Sequence, residues 1–322
     1  MLLDYITWDV DPILFHLGSL QIRWYGLLWA IGLYLCWLVN ERMYRRENCP
    51  AEWADKMFIY MALGVIIGAR LGHCWFYEWH LTNDPIQLFG WTINYRNPYI
   101  EHPLRLIQIW EGGLSSHGGA IGLITAAFLL NWRVFSKYPQ FQTSWLWILD
   151  RLCLGVCITA TLIRLGNLMN SEIYGGPTDL PWGFIFVRGD VNTDVPCHPT
   201  QIYEMIYCLV AMAVTWPMYY FTDARRREGL LLGVFLEIVF VTRFCLEFIK
   251  NDQEAFEAGH VLNMGQLLSI PFIALATYLI IRAYRRPLSP VVDKQPESLD
   301  PKYRSTQNTQ NTPKKDNKKM RK

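Results

Sequence analysis

Seven apolar windows, each bounded by charged or turn-forming stretches, organise this chain: approximately Leu20 to Asn40, Met57 to Tyr77, Gly113 to Trp132, Ser144 to Ile163, Gln201 to Phe221, Gly229 to Ile249 and Leu262 to Tyr284. A bilayer core of about 30 Å needs about 20 helical residues to cross it, so each window predicts a transmembrane helix. The expected fold class is therefore all-α, a polytopic membrane protein with seven transmembrane helices.

Positive charge is unevenly shared among the loops. Arg42, Arg45, Arg46 and Lys56 fall in the first, Arg133 and Lys137 in the third, and Arg225, Arg226 and Arg227 in the fifth; twelve further Lys and Arg follow from Arg282 onward. Such residues stay on the cytoplasmic side, which places the C-terminus inside and the N-terminus outside. The long loops 78–112 and 164–200 are then outer-face loops with room for chemistry. The predicted organisation is a seven-helix domain over 1–286 and a basic tail over 287–322. That tail is too poor in apolar residues to fold and is expected to be disordered.

Composition sharpens the picture. The chain is 52% apolar and only 18% charged, outside the roughly 45–50% and 25% of soluble proteins. Its net charge of +2 averages a slightly acidic body and a basic end, so no nucleic-acid partner is expected. The tail is expected to lie beside anionic lipid headgroups. Eight cysteines contain no CxxC pair, which argues against both a disulfide scaffold and a zinc site; no metal is expected. The first 19 residues hold Asp4, Asp9 and Asp11 but no Lys or Arg, unlike a secretory leader, so no cleavage is expected.

Ionisable residues inside a span must face a partner or a wet cavity. Arg23 opens the first window, Arg70 lies in the second between Gly68 and Gly72, Asp150 and Arg151 interrupt the fourth, Glu204 sits in the fifth, and Glu237, Arg243 and Glu247 occupy the sixth. Arg243 and Glu247, four apart, can pair on one helical face. Arg70 and Asp150 form a second candidate pair. The glycines beside Arg70 permit close approach of another helix or a loop.

Two stretches concentrate polar groups near a span. In Trp110-Glu111-Gly112-Gly113-Leu114-Ser115-Ser116-His117-Gly118-Gly119, four glycines flank a single histidine as the third span begins. A lone histidine is commonly structural, but this setting favours function. In Arg164-Leu165-Gly166-Asn167-Leu168-Met169-Asn170-Ser171-Glu172, a cation, two amides and a carboxylate follow the fourth span. No HExxH, GxSxG, Walker loop or GxGxxG is present.

These blocks, with Arg23-Trp24-Tyr25-Gly26, Gly68-Ala69-Arg70-Leu71-Gly72, His198-Pro199-Thr200-Gln201-Ile202-Tyr203-Glu204 and Arg243 through Glu247, resemble the bacterial phosphatidylglycerol:prolipoprotein diacylglyceryl transferase family. The resemblance covers about the first 285 residues in family order. It implies an inner-membrane, multi-pass enzyme that transfers the diacylglyceryl group of phosphatidylglycerol to the lipobox cysteine of a prolipoprotein signal peptide. A thioether forms, glycerol 1-phosphate leaves, and no cofactor takes part.

Within that reaction the departing phosphate must be held and the acceptor thiol deprotonated. Arg164 and Arg243 are the expected phosphodiester ligands, because a guanidinium matches phosphate oxygens and stays charged in a dry site. His117 is the candidate base or a headgroup contact. Asn167, Asn170 and Tyr25 are expected to bond the headgroup, Glu172 to accept from its hydroxyls or fix Arg164, and Glu247 to orient Arg243. The His198–Glu204 block is read as structural or gating. In one departure, Val239 stands where family members often carry a tyrosine one turn before the helix-six arginine; Thr242 is a candidate replacement hydroxyl. A transporter would also carry intramembrane Arg and Glu, but it predicts inverted repeats, and no clear repeat is present. A non-catalytic lipid-binding protein would tolerate loss of His117.

Overall fold

The computed structural model describes residues 5–18, 20–75, 86–88, 91–93, 103–108, 115–191, 193–249 and 264–289. Most of the tail 287–322, much of the loop 78–112 and residues 110–114 of the glycine-rich run lie outside them. Seven α-helices are described: α1 (Trp24–Arg46), α2 (Glu52–His73), α3 (Ser116–Arg133), α4 (Trp145–Met169), α5 (Thr200–Phe221), α6 (Leu230–Leu246) and α7 (Met264–Arg285). By length and composition, four of them (α3, α4, α5 and α7) are apolar enough to cross a membrane. Helix α6 spans only 17 residues, and α1 carries four charges in its last six.

Burial is inverted relative to a soluble protein. Leu63, Ile67, Phe128 and Val210 are exposed, while Asn40, Asp150, Arg151, Gln201 and Glu204 are buried. Apolar side chains face outward where lipid replaces water, and the polar ones find partners inside.

Two expectations are corrected here. Leu20–Arg23 is not helical: it forms strand β3, paired antiparallel with β2 (Ile13–Leu17), so Arg23 precedes α1. Alternating Gln21 and Arg23 suit a strand better than an apolar helical face. At the other end, Arg164 to Met169 do not belong to the loop 164–200; they complete α4.

Helices α2 and α3 pack antiparallel with their backbones in contact. A Cβ built on Gly72 would lie 2.5 Å from the Gly118 Cα, and one on Gly68 would meet the Gly118 carbonyl and lie 2.6 Å from the Gly122 Cα. Glycines four apart on both helices permit this approach, as the sequence around Arg70 suggested. Helix α1 runs antiparallel to α4, where Thr159 donates to the Gly32 carbonyl at 2.9 Å.

The basic end is closed by stacked aromatics, Trp53 on Phe135 at 3.8 Å and Tyr44 on Trp147 at 5.4 Å. Buried Arg151 lies over Trp147 and makes a two-pronged bond to Glu47, at 3.1 and 2.8 Å. Asp150 does not meet Arg70. Its carboxylate accepts the backbone N–H groups of Gly229 (2.6 Å) and Leu232 (2.9 Å), capping the positive end of α6, while Arg70 donates to the Leu106 carbonyl at 3.3 Å. Gly229, at φ +89°, gives α6 its tight start.

The opposite end is roofed by short strands. β1 (Ile6–Trp8) pairs parallel with β6 (Phe184–Phe186), burying Trp8 against Leu168, Tyr174 and Phe186. Trp8 Nε1 donates to the Leu168 carbonyl at 2.9 Å and so ties the N-terminal strand to the last turn of α4. A hairpin of β4 (Ile86–Leu88) and β5 (Trp91–Ile93) completes the described strands.

Candidate functional site

Arg164, on the last turns of α4, pairs with Glu204 of α5. Its Nη1 also donates to Asn167 Oδ1 at 3.3 Å; Asn167 Nδ2 in turn donates to Glu172 Oε1 at 2.7 Å, and Asn170 Nδ2 reaches the same oxygen at 3.3 Å. The spacing Arg164-x-x-Asn167 sets both on one helical face, and a turn returns Glu172 beneath them. Glu204, not Glu172, therefore takes the ion pair.

That turn is strained and heavily tied. Ser171 and Ile173 are left-handed, at φ +53° and +59°, which is costly for a β-branched residue. Gln201 Nε2 donates to the Glu172 carbonyl at 2.7 Å, and the Thr200 hydroxyl donates to the Ile173 carbonyl at 2.8 Å. Gly175 donates to the His198 carbonyl, and Gly176 donates to the Ile249 carbonyl. The first turn of α5 thus holds the Asn170–Gly176 turn, which also touches the chain just past α6.

At that end of α6, Arg243 Nε lies 4.0 Å from Glu247 Oε2, the pair expected from their spacing. Each carboxylate sits behind its arginine. The side chains of Glu204 and Glu247 are 1% and 5% exposed, those of Arg164 and Arg243 20% and 36%. Each arginine is thus the more exposed partner of its pair. Tyr207 of α5 lies within electrostatic reach of both arginines.

Tyr25, in the first turn of α1, joins from the other side, within reach of Glu172 and Arg164. Its ring rests on Gly166: a Cβ there would lie 2.8 Å from Tyr25 Cδ2 and 3.1 Å from its Cα. Gly166→Ala is therefore expected to displace Tyr25. Initial rates of the purified variant should fall about tenfold to a hundredfold, the scale of an ångström misplacement; an unchanged rate would remove Tyr25 from the site.

His117 lies half-buried in the first turn of α3. The Ser115 hydroxyl caps this helix by accepting from the Gly118 N–H at 3.2 Å, and the Ser115 N–H donates to Ala69 of α2. Among the described residues, no hydrogen bond or ion pair joins His117 to the Arg164 cluster.

The structure gives two residues of the block read as structural or gating a definite place and adds one residue that the sequence reading did not name. Glu204 and Gln201 anchor the cluster from α5, and Tyr207 lies within electrostatic reach of its arginines. Gln201, Glu204 and Tyr207 recur every three residues on one face, a spacing visible in the sequence although their partners were not. His198, whose imidazole is held below its usual pKa by burial, contacts the Tyr203 hydroxyl at 3.4 Å.

The fold and site define a multi-pass helical membrane protein with paired arginines and carboxylates at the end opposite its basic loops. A family model described as prolipoprotein diacylglyceryl transferase matches residues 12–282. The chain belongs to this family. It is 44% identical over 298 residues to the phosphatidylglycerol–prolipoprotein diacylglyceryl transferase of Porphyromonas gingivalis, covering 88% of this chain and 97% of that protein. It is 39% identical to the proteins of that name from Tolumonas auensis, over 86% of this chain and 96% of the relative, and Chloroherpeton thalassium, over 88% and 96%.

Proposed function

We propose that the chain transfers the diacylglyceryl group of phosphatidylglycerol to the lipobox cysteine of prolipoprotein signal peptides, the first step of lipoprotein maturation. The thiol loses its proton and the sulfur bonds to the glycerol carbon. The bond from that carbon to the phosphate oxygen breaks, and the electron pair leaves on glycerol 1-phosphate. The observation that carries this reading is the two partly exposed arginines, Arg164 and Arg243, each paired with a buried carboxylate, in a chain of this family.

Arg164 and Arg243 hold the phosphodiester and stabilise the charge that develops as it departs. Asn167 and Asn170 fix Glu172, which accepts from headgroup hydroxyls, and Tyr25 bonds the headgroup from α1. Glu247 orients Arg243. His117 takes the thiol proton or contacts the headgroup once both substrates are bound. All seven helices span the bacterial inner membrane, with the N-terminus and the site outside and the C-terminus in the cytoplasm, where the tail meets anionic lipid. Residues 1–286 form the catalytic domain and no cofactor participates.

The test supplies detergent-purified protein with phosphatidylglycerol and a lipobox peptide, and weighs the peptide by mass spectrometry. A diacylglyceryl adduct on the cysteine is expected. No adduct from folded protein with lipid present would overturn the reading.

A further inference from the structure

A groove of about 320 Å³ opens between α5 and α6, lined by apolar Ile206, Val210, Ile238 and Leu246 and by three hydroxyl-bearing residues, Tyr203, Tyr207 and Thr242. Two of these hydroxyls are engaged. Tyr203 accepts from Trp182 Nε1 at 2.9 Å, and Thr242 donates to the Ile238 carbonyl one turn back at 2.7 Å. Thr242, the hydroxyl considered in place of the apolar Val239, thus spends its proton within its own helix.

Tyr207 differs from both. Its side chain lines the groove, the residue is only 6% exposed, and among the described residues its hydroxyl has no hydrogen-bond partner. The ring is packed away while the hydroxyl stays open to the groove, an unspent donor and acceptor. Tyr207 also lies within electrostatic reach of Arg164, Arg243 and Glu204. An anion on these guanidinium groups thus finds, on this groove, a hydroxyl that spends neither its proton nor its oxygen on any described residue.

We infer that Tyr207 is a lipid-contacting residue of this site: its hydroxyl donates a hydrogen bond to a phosphate oxygen of phosphatidylglycerol, while the groove receives the adjoining apolar part of the lipid. This rests on the functional reading above. A phenol adds a donor near two cations without a third positive charge, so the phosphate is bonded without added repulsion.

Tyr207→Phe removes the hydroxyl and keeps the ring. The full-length variant, assayed with phosphatidylglycerol and a lipobox peptide each varied in turn, should lose about tenfold to a hundredfold in kcat/KM for the lipid, the scale of one hydrogen bond to a charged group. KM for the peptide should not move, and thermal stability should match or exceed the starting protein, since no internal bond is lost. Tyr207→Leu, which also removes the ring, should show at least the same lipid-specific loss.

Unaltered kinetics in Tyr207→Phe, a loss confined to Tyr207→Leu, or a rise in peptide KM alone would each overturn the assignment while leaving the transferase reading intact. Absence of transfer by the unsubstituted protein would instead sink that reading, and this assignment with it.

Discussion

Arg164→Met is expected to abolish measurable transfer and to destabilise the protein, and a second substitution separates the two effects. Removing the guanidinium deprives buried Glu204 of its cation, and breaking such a pair typically costs about 3 to 5 kcal/mol. Arg164→Met combined with Glu204→Gln replaces the stranded charge with a neutral amide, so thermal unfolding in detergent should recover most of the loss. Activity should not return. Loss of one preorganised donor to developing charge lowers kcat by about a hundredfold to a thousandfold, and Asn167 loses the group that anchors its side-chain oxygen. Recovery of transfer along with stability would show that Arg164 serves packing alone.

The second large effect is expected at Gly122, far from any charge. A Cβ there would run into the Gly64 carbonyl oxygen and lie 2.9 Å from the Gly68 Cα; both obstacles are backbone, so no rotamer change relieves them. Gly122→Val must push α2 from α3. The expected loss is about 3 kcal/mol, at the upper end for overpacked interiors. Gly119→Ala supplies the control three residues away. Its Cβ would have the Ala69 Cβ as nearest neighbour, at 3.7 Å, an ordinary contact. Thermal unfolding of the two variants should therefore diverge sharply. Equal stability would mean that the close backbone approach is not what holds this pair.

Much of this arrangement was legible in the sequence. The seven apolar windows coincide with seven helices because length and apolarity are local properties, and Arg243 with Glu247 was readable because four residues make one turn. What escaped depended on distant partners. Arg164 to Asn167 looked like loop because polar residues after an apolar run usually end a helix; with Glu204 satisfying Arg164 from 40 residues away, the helix continues. Asp150 was matched with Arg70 on charge, whereas its partners are two backbone N–H groups, which any residue could have supplied. Glu172 competed with Glu204 for Arg164, and only the packing of α5 decided between them. Tyr207 carried no signal beyond its three-residue spacing from Glu204.

The cap on α6 has a metric consequence. Asp150 fastens the start of α6 to a fixed level of α4, and both helices then run toward the roofed end. Fourteen residues separate Asp150 from Arg164, and fourteen separate Gly229 from Arg243. At 1.5 Å per residue each interval is about 21 Å. The two helices thus act as rulers of equal length with a common zero, and their cations arrive at matching heights because of a carboxylate at the far end of the molecule.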